Sequence, residues 1–350
     1  MKLNGKALLL KLDFLKQNKT AGLTGLALLV AGTACFCMGT GAKYIPAAMV
    51  GKTIFSHISG FWDGSDISPL YHTIIWKIRT PRALLAIMTG VCLASSGAVF
   101  QGCFKNPLVE PYILGTSSGA AFGAALGIMF PSFFMSVQML AFAFAFLAVG
   151  LAYTMARTRG ETPLVNLILS GIITGSIFTA LVGIVKYLAR DEALREIVFW
   201  LMGGFYYAGW TDVSLMLPVA LVGFLILWSH GWKLNILSMG DKEARALGID
   251  PEKNKFILIS LSTLMTAAAV SSVGIIPWVG LMIPHAARLI FGPDHRVVLP
   301  ASALLGALYL LICDTIARTL TQTEIPVGII TSLIGAPYLF FLVRTRGQRM

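Results

Sequence analysis

The chain has 350 residues, 56% of them hydrophobic and only 12% charged, with a mean hydropathy of +0.78 and a net charge of +11. Soluble domains carry about 25% charged residues, so this composition excludes an ordinary globular enzyme and a disordered or nucleic-acid-binding tail protein. The excess of 27 Lys+Arg over 16 Asp+Glu reads as the basic bias of inward-facing membrane loops, not as a nucleic-acid footprint.

Charge-free windows lay out the elements in chain order: 20–42, 83–104, 111–156, 162–185, 213–232, 256–287, 297–313 and 325–343. An apolar run of about 20 residues spans a bilayer. The 46 uncharged residues of 111–156 therefore hold two helices, broken at Pro131-Ser132. Window 256–287 is long for one helix and short for two. Ser271-Ser272-Val273-Gly274 and Pro277 mark a turn near its middle, which predicts one full span and then a shorter helix starting near Pro277. The result is an all-α polytopic membrane protein with about ten transmembrane helices in a single domain, 1–350.

With ten spans and an inner N-terminus, 18 of the 27 basic residues fall inside, including Arg344, Arg346 and Arg349 near the C-terminus. That asymmetry predicts both termini in the cytoplasm. The N-terminal segment 1–19 then forms a short cytoplasmic tail. Its lysines and the following apolar run imitate a signal peptide, but Gly32-Thr33-Ala34 before Cys35 fits a lipoprotein cleavage site poorly, so 20–42 is read as a retained first span. Cys35, Cys37, Cys92, Cys103 and Cys313 lie in or beside apolar runs, without a C-x-x-C pair, and read as small buried side chains. Gly119, Gly123 and Gly127, and likewise Gly171 and Gly175, recur every four residues, a spacing that lets helices approach closely in lipid.

Three stretches lie outside the spans. An outer segment at about 43–82 ends in Arg79-Thr80-Pro81-Arg82, with Pro81 at the start of the next helix. Its two arginines oppose the positive-inside trend. They are either snorkelling cations at the headgroup boundary or an ion-pair socket for an acidic outer partner. Arg318, four residues after Asp314, suits a local ion pair as well. A second outer segment, about 187–211, is amphipathic through Arg190, Asp191, Glu192, Arg195 and Glu196. The aromatics Trp200, Phe205, Tyr206, Tyr207 and Trp210 follow, as expected of an interfacial helix. The third stretch, the inner loop 233–255, predicts a short helix with Asp241 as N-cap, Glu243 in the first turn, Gly248 as the stop and Pro251 beyond. Seven residues are too few for a helix stable alone, so it is either docked on a partner or a turn between spans.

Several motifs fail. Gly51-Lys52-Thr53 resembles the end of a phosphate-binding loop, but Pro46 stands where the pattern needs glycine. His285 and His295 are ten apart without a metal-ligand cluster around them, and His57 and His72 read as solvated surface or as contacts for a haem-like ligand. The mid-span windows contain no Asp or Glu, against an ion-coupled secondary transporter. No nucleophile or metal constellation supports a membrane-embedded enzyme.

One resemblance is specific. The run Arg79-Thr80-Pro81-Arg82, Gly90, Ala94, Ser96-Gly97, Gln101, Asn106-Pro107-Leu108, Pro111 and Leu114-Gly115 resembles the permease family of ABC importers for iron–siderophore complexes, haem and cobalamin. So do Trp200-Leu201-Met202-Gly203-Gly204-Phe205, the loop Gly240-Asp241 with Ala244 and Leu247-Gly248, Val279-Gly280-Leu281 with Pro284-His285, Arg288 and Asp294-His295-Arg296, and Glu324-Ile325-Pro326-Val327-Gly328 with Gly335-Ala336-Pro337. The resemblance covers about 70–343.

It implies a non-enzymatic multi-pass permease in a bacterial or archaeal cytoplasmic (inner) membrane, paired with a second copy or a paralogue. Two cytosolic ATP-binding subunits would use the ATP, an extracytoplasmic binding protein would deliver the chelate, and this chain would bind no cofactor. By the same resemblance, Gly240, Asp241, Glu243, Ala244, Leu247 and Gly248 fall at the coupling helix that seats in the ATPase. Arg79, Arg82 and Arg318 fall at the arginines meeting acidic residues of the binding protein. Gln101, Asn106, Pro107 and Leu108 fall along the translocation path and inner gate. Where the family carries a hydroxyl pair before the fifth span, this chain has Leu164-Val165.

Overall fold

The computed structural model describes residues 18–41, 43–59, 68–132, 135–158, 162–321 and 323–346. The expected N-terminal tail lies outside the described residues up to residue 17, as do Arg159 and Arg349. All regular elements among the described residues are helices, the form in which a chain in lipid satisfies its backbone groups within each segment.

In chain order these are α1 (Lys19–Gly39), α2 (Ala47–Ser59), α3 (Pro69–Phe104), a 3-10 turn (Pro111–Leu114), α4 (Thr116–Met129), α5 (Val137–Ala156), α6 (Leu164–Leu188) and α7 (Asp191–Met202). They continue with α8 (Trp210–Ser229), α9 (Gly231–Met239), α10 (Asp241–Ala246), α11 (Pro251–Val273), α12 (Val279–Phe291), α13 (His295–Thr319) and α14 (Val327–Arg346). Every charge-free window holds a helix, and among the described residues seven helices are long and apolar enough to cross a membrane. Window 256–287 splits as expected. α11 ends at Val273, Gly274 and Trp278 adopt positive φ (73° and 75°), and the short α12 begins at Val279.

α3 is the central post. Of its most apolar window 83% is buried, against 28% for α1 and α8, which turn most of their surface outward. α8, α11, α12 and α13 pack around it. Small residues allow this, since a Cβ on Gly97 would collide with the carbonyl of Gly280, and one on Gly90 with the backbone of Gly306. The glycine rows serve the same end. Gly119 and Gly123 admit the α5 backbone at Phe144 and Leu140, and Gly171 admits the carbonyl of Ile113. These rows are packing faces.

The structure corrects the start of the second span. Sequence reasoning places 79–82 in a loop before the helix, but α3 reaches back to Pro69 through a π-helical stretch, Thr73–Arg79. Pro81 has no N–H and would clash with the carbonyl four residues earlier in a regular helix. The widened turn ahead of it, with Thr80 N–H bonded to the Ile75 carbonyl, removes that conflict. The outer segment is also partly helical, as α2. The amphipathic stretch forms α7, with Phe205 fully buried behind it and Tyr207 exposed.

Candidate functional site: an arginine cluster and a short helix at the two ends of α3

The α-helical part of α3, Thr80–Phe104, has 25 residues and is about 37 Å long at 1.5 Å per residue. Each end carries one group of candidate residues.

At the N-terminal end, Arg79, Arg82 and Arg318 converge. Arg82 donates to Asp314 Oδ1 at 2.9 Å (Nε) and 2.8 Å (Nη2), and to Glu324 Oε2 at 2.8 Å (Nη1). The Asp314/Arg318 pair expected from the i,i+4 spacing forms, at 3.2 Å. Arg318 also donates to the carbonyls of Cys37 and Thr40, and Arg79 to those of Met38 and Lys43. Two guanidinium groups thus satisfy carbonyls at the C-terminal end of α1, where the helix dipole favours cations. Arg79 and Arg82 are only 7% and 6% exposed, so neither snorkels toward a headgroup layer. In this conformation their charge is answered inside the chain. Three cations face two carboxylates, Asp314 and the partly exposed Glu324. Nothing local in the sequence pairs Arg82 with residues more than 230 positions away.

At the other end lies α10. Gly240, not Asp241, occupies the N-cap, and Asp241 is the first helical residue. Its carboxylate is drawn elsewhere, with both oxygens 2.7 Å from Lys255 Nζ of α11 and one 3.7 Å from Lys105 Nζ. Burial by itself would raise the Asp241 pKa, but the hydrogen bond and charge of Lys255, with Lys105, outweigh it and hold the carboxyl below its ordinary value. The Gly240 backbone lies against Glu243, whose carboxylate a Cβ there would hit. Gly248 is the stop foreseen, with φ +77°. Its N–H bonds to Arg245 O at 3.0 Å and that of Ile249 to Ala244 O at 2.9 Å, a Schellman closure. Ala244 is fully buried and pins the helix, whereas Leu247 is 60% exposed.

Lys105 ends α3 in the left-handed conformation (φ 53°), and the proposed gate residues follow it directly. Asn106 Oδ1 accepts from Leu108 N–H at 2.9 Å, an Asx turn that holds Asn106, Pro107 and Leu108 at the surface. Gln101 is not on that surface. It is buried, donates to Leu281 O of α12 at 3.0 Å, and accepts from Arg288. It ties α3 to α12 beneath the turn. Glu110, beyond the turn, is half-buried, and burial pushes its carboxyl up to about 7. Sequence reasoning did not single out Lys105, Lys255 or Glu110. For Lys255, a cation one turn into an apolar helix was the available signal.

Before α6, Thr162 Oγ1 is buried without a hydrogen-bond partner, Leu164 is half-buried and Val165 is exposed. Further along α6, from Gly171 to Ala180, an open groove runs between the 3-10 turn, α4 and α6. Ser118, Ser176, Thr179 and Gly175 contribute to its lining, which is uncharged. His295, set aside as a metal ligand, is held by Asn235 Oδ1 through its backbone N–H at 2.7 Å and its ring Nδ1 at 2.9 Å. The same asparagine donates to Asp294, whose carboxyl is held well below its usual range chiefly by Arg296.

A bundle of membrane-length apolar helices with a short helix pinned at one end defines a multi-pass membrane protein. The chain matches the FecCD transport family over residues 27–345. It is 38% identical over 322 residues to the molybdate import system permease protein MolB of Haemophilus influenzae, covering 92% of this chain and 94% of that one. It is 44% identical over 277 residues to the cobalamin import system permease protein BtuC of Halobacterium salinarum, covering 79% and 74%. A solved metal-chelate-type ABC transporter in an inward-facing conformation superposes with a TM-score of 0.83 at 37% identity, covering 93% of this chain and 99% of the other. The chain belongs to the FecCD family of ABC importer permeases. The relatives' cargoes are wider than the three chelates expected from sequence, since molybdate is among them.

Proposed function

We propose that this chain is the permease subunit through which an iron(III)–siderophore, haem or cobalamin-type chelate enters the cytoplasm of a bacterium or archaeon. In this reading the single domain crosses the cytoplasmic membrane ten times, with both termini inside. A second copy or a paralogue completes the path, and the uncharged groove beside α6 faces it. Two ATP-binding subunits engage α10 and supply the work, because a ligand shifts two states only by its differential affinity for them. A binding protein docks at the end of α3 that carries Arg79, Arg82 and Arg318, where the surplus positive charge and the half-exposed Glu324 offer one ion-pair exchange. Asn106, Pro107 and Leu108 form the inner gate, with Leu164 and Val165 as its apolar counterpart.

The observation that carries this reading is α10. It is a six-residue helix closed at its C-terminal end by the Schellman bonds and anchored by Ala244, with an ion pair running from Asp241 to the base of the gate turn and Leu247 offered outward. The test is uptake by proteoliposomes containing this chain, its ATPase and its binding protein. Ferric siderophore, haem, cobalamin and molybdate are compared. ATP-dependent accumulation of one of the three chelates is expected. Accumulation of molybdate alone would replace the cargo while keeping the permease, and uptake driven by an ion gradient without ATP would end the reading.

A further inference from the structure

The aromatic end of the outer segment holds a feature that translocation does not use. His57, at the end of α2, and His72, in the first turn of α3, face each other with their Nε2 atoms 3.0 Å apart. The His57 ring stacks on Trp76, with centroids 4.0 Å apart and planes at 21°. Trp76 in turn packs on Trp210 at 4.6 Å, and Trp210 Nε1–H donates to the Trp76 carbonyl at 2.9 Å. The His57 ring is also oriented from behind. Its Nδ1 lies 3.0 Å from the carbonyl oxygen of Thr53. A carbonyl only accepts, so this contact, closer than the Ser56 hydroxyl at 3.4 Å from the same nitrogen, selects the tautomer with the proton on Nδ1 and a lone pair on Nε2. The proton between the two Nε2 atoms therefore belongs to His72. A metal-ligating histidine typically donates its other ring N–H to a carboxylate, backbone carbonyl or water, as His57 Nδ1 does to Thr53 in that tautomer.

We propose that His57 and His72 form a two-nitrogen site for a divalent transition-metal ion of the Cu2+ or Ni2+ class, walled by Trp76. Distance decides the coordination. Metal–imidazole bonds are about 2.0–2.1 Å. Two of them spanning 3.0 Å subtend about 94° at the metal, the cis angle of square-planar or octahedral ions. A tetrahedral ion would need about 3.3 Å, and trans ligation through a haem iron about 4.1 Å. The pair is therefore built for one small ion and not for a haem between two axial rings. Among the described residues no group of three or more His, Cys, Asp or Glu side chains is placed to hold a metal, and the proposed site is a two-nitrogen one with water completing the ion's shell. On binding, the His72 proton moves through solvent from Nε2 to Nδ1, the ion takes both Nε2 lone pairs, and water leaves the ion. The bound ion joins α2 directly to the start of α3. The inference stands apart from the cargo and from the proposed function.

The test uses the full chain in detergent, free of affinity tags, with Cu2+ as the probe. Titration calorimetry should give one tight ion per chain, and electron paramagnetic resonance should show hyperfine coupling to two nitrogens. His57→Gln and His72→Gln should each weaken binding at least tenfold, the smaller loss known even for removal of an outer partner of a ligand. His230→Gln should leave binding unchanged. Trp76→Phe keeps both ligands. It should retain binding but lose the part of the tryptophan quenching that saturates at one ion per chain. Two-nitrogen coupling that survives in the double His57→Gln/His72→Gln variant, or a wild-type chain without a stoichiometric ion, would overturn the site.

Discussion

Replacing Asp241 by Asn tests whether α10 drives the gate. The substitution keeps the size of the side chain and removes the charge that Lys255 and Lys105 share. Lys255 is only 7% exposed and lies 2.7 Å from both carboxylate oxygens. Asp241 itself is nearly half exposed, at 47% of its side chain, so water screens the pair from one side. The loss therefore falls between an exposed pair, at about 0.2–1 kcal/mol, and a sealed one, at about 3–5 kcal/mol. We take about 1–3 kcal/mol, the cost of leaving a buried polar group unsatisfied. As a coupling free energy this corresponds to about 5–150-fold. In proteoliposomes, D241N should cut chelate uptake per ATP hydrolysed by that factor while the ATPase stays bound and hydrolyses ATP. Asp241→Glu should recover part of the loss. The double variant Asp241→Asn/Lys255→Met should lose less than the sum of its parts, because it strands no buried charge. Since the folded carboxyl is held below its ordinary value, the pair is intact above that value and weakens only as pH falls through the lowered one. Wild-type coupling should therefore be flat between pH 6 and 8 as far as this group is concerned. If D241N and Lys255→Met both transport with wild-type stoichiometry, the route from α10 through Lys105 to the gate turn does not operate.

At the other end of α3, Asp314→Asn should lower the stability of the solubilised permease by about 3–5 kcal/mol, because it removes the buried carboxylate that Arg82 and Arg318 share and leaves Arg82 only the more exposed Glu324. Glu324→Gln, on a side chain 38% exposed, should cost less than about 1 kcal/mol. Equal melting temperatures for the two variants would contradict the geometry of the cluster. Leu247→Asp should leave the melting temperature unchanged, since the side chain is 60% exposed, and yet abolish co-purification of the ATPase. Retained co-purification would remove Leu247 from that interface. Glu110 is held near 7 from an ordinary 4.5 by burial. The folded state then binds the proton more tightly than the unfolded state, and stability falls as pH rises from about 4.5 to 7. Glu110→Gln should thus be more stable than wild type at pH 8, with the advantage vanishing towards pH 4.5, as read by melting temperature across pH.

The sequence alone determined the class of molecule and the places where the chain turns. Charge is expensive in lipid and breakers are costly inside helices, so the uncharged windows, Pro131-Ser132 and the Ser271-to-Pro277 stretch marked the helices directly. Gly248 was legible as a helix stop because its left-handed backbone is a local requirement. The i,i+4 spacing of Asp314 and Arg318 was likewise enough to foresee their pair. The family resemblance rested on residues scattered over most of the chain. What only the tertiary structure decided is who meets whom. Arg82 finds Asp314 and Glu324, and Asp241 leaves the expected N-cap for Lys255 and Lys105. Gln101 turns inward to α12, and Pro81 sits inside a long helix because a π-helical turn makes room for it. Except for Pro81, whose widened turn is local to α3, each of these outcomes is a competition between a local preference and a distant partner of greater electrostatic or steric weight. The distance along the chain at which that partner waits is not written near either residue.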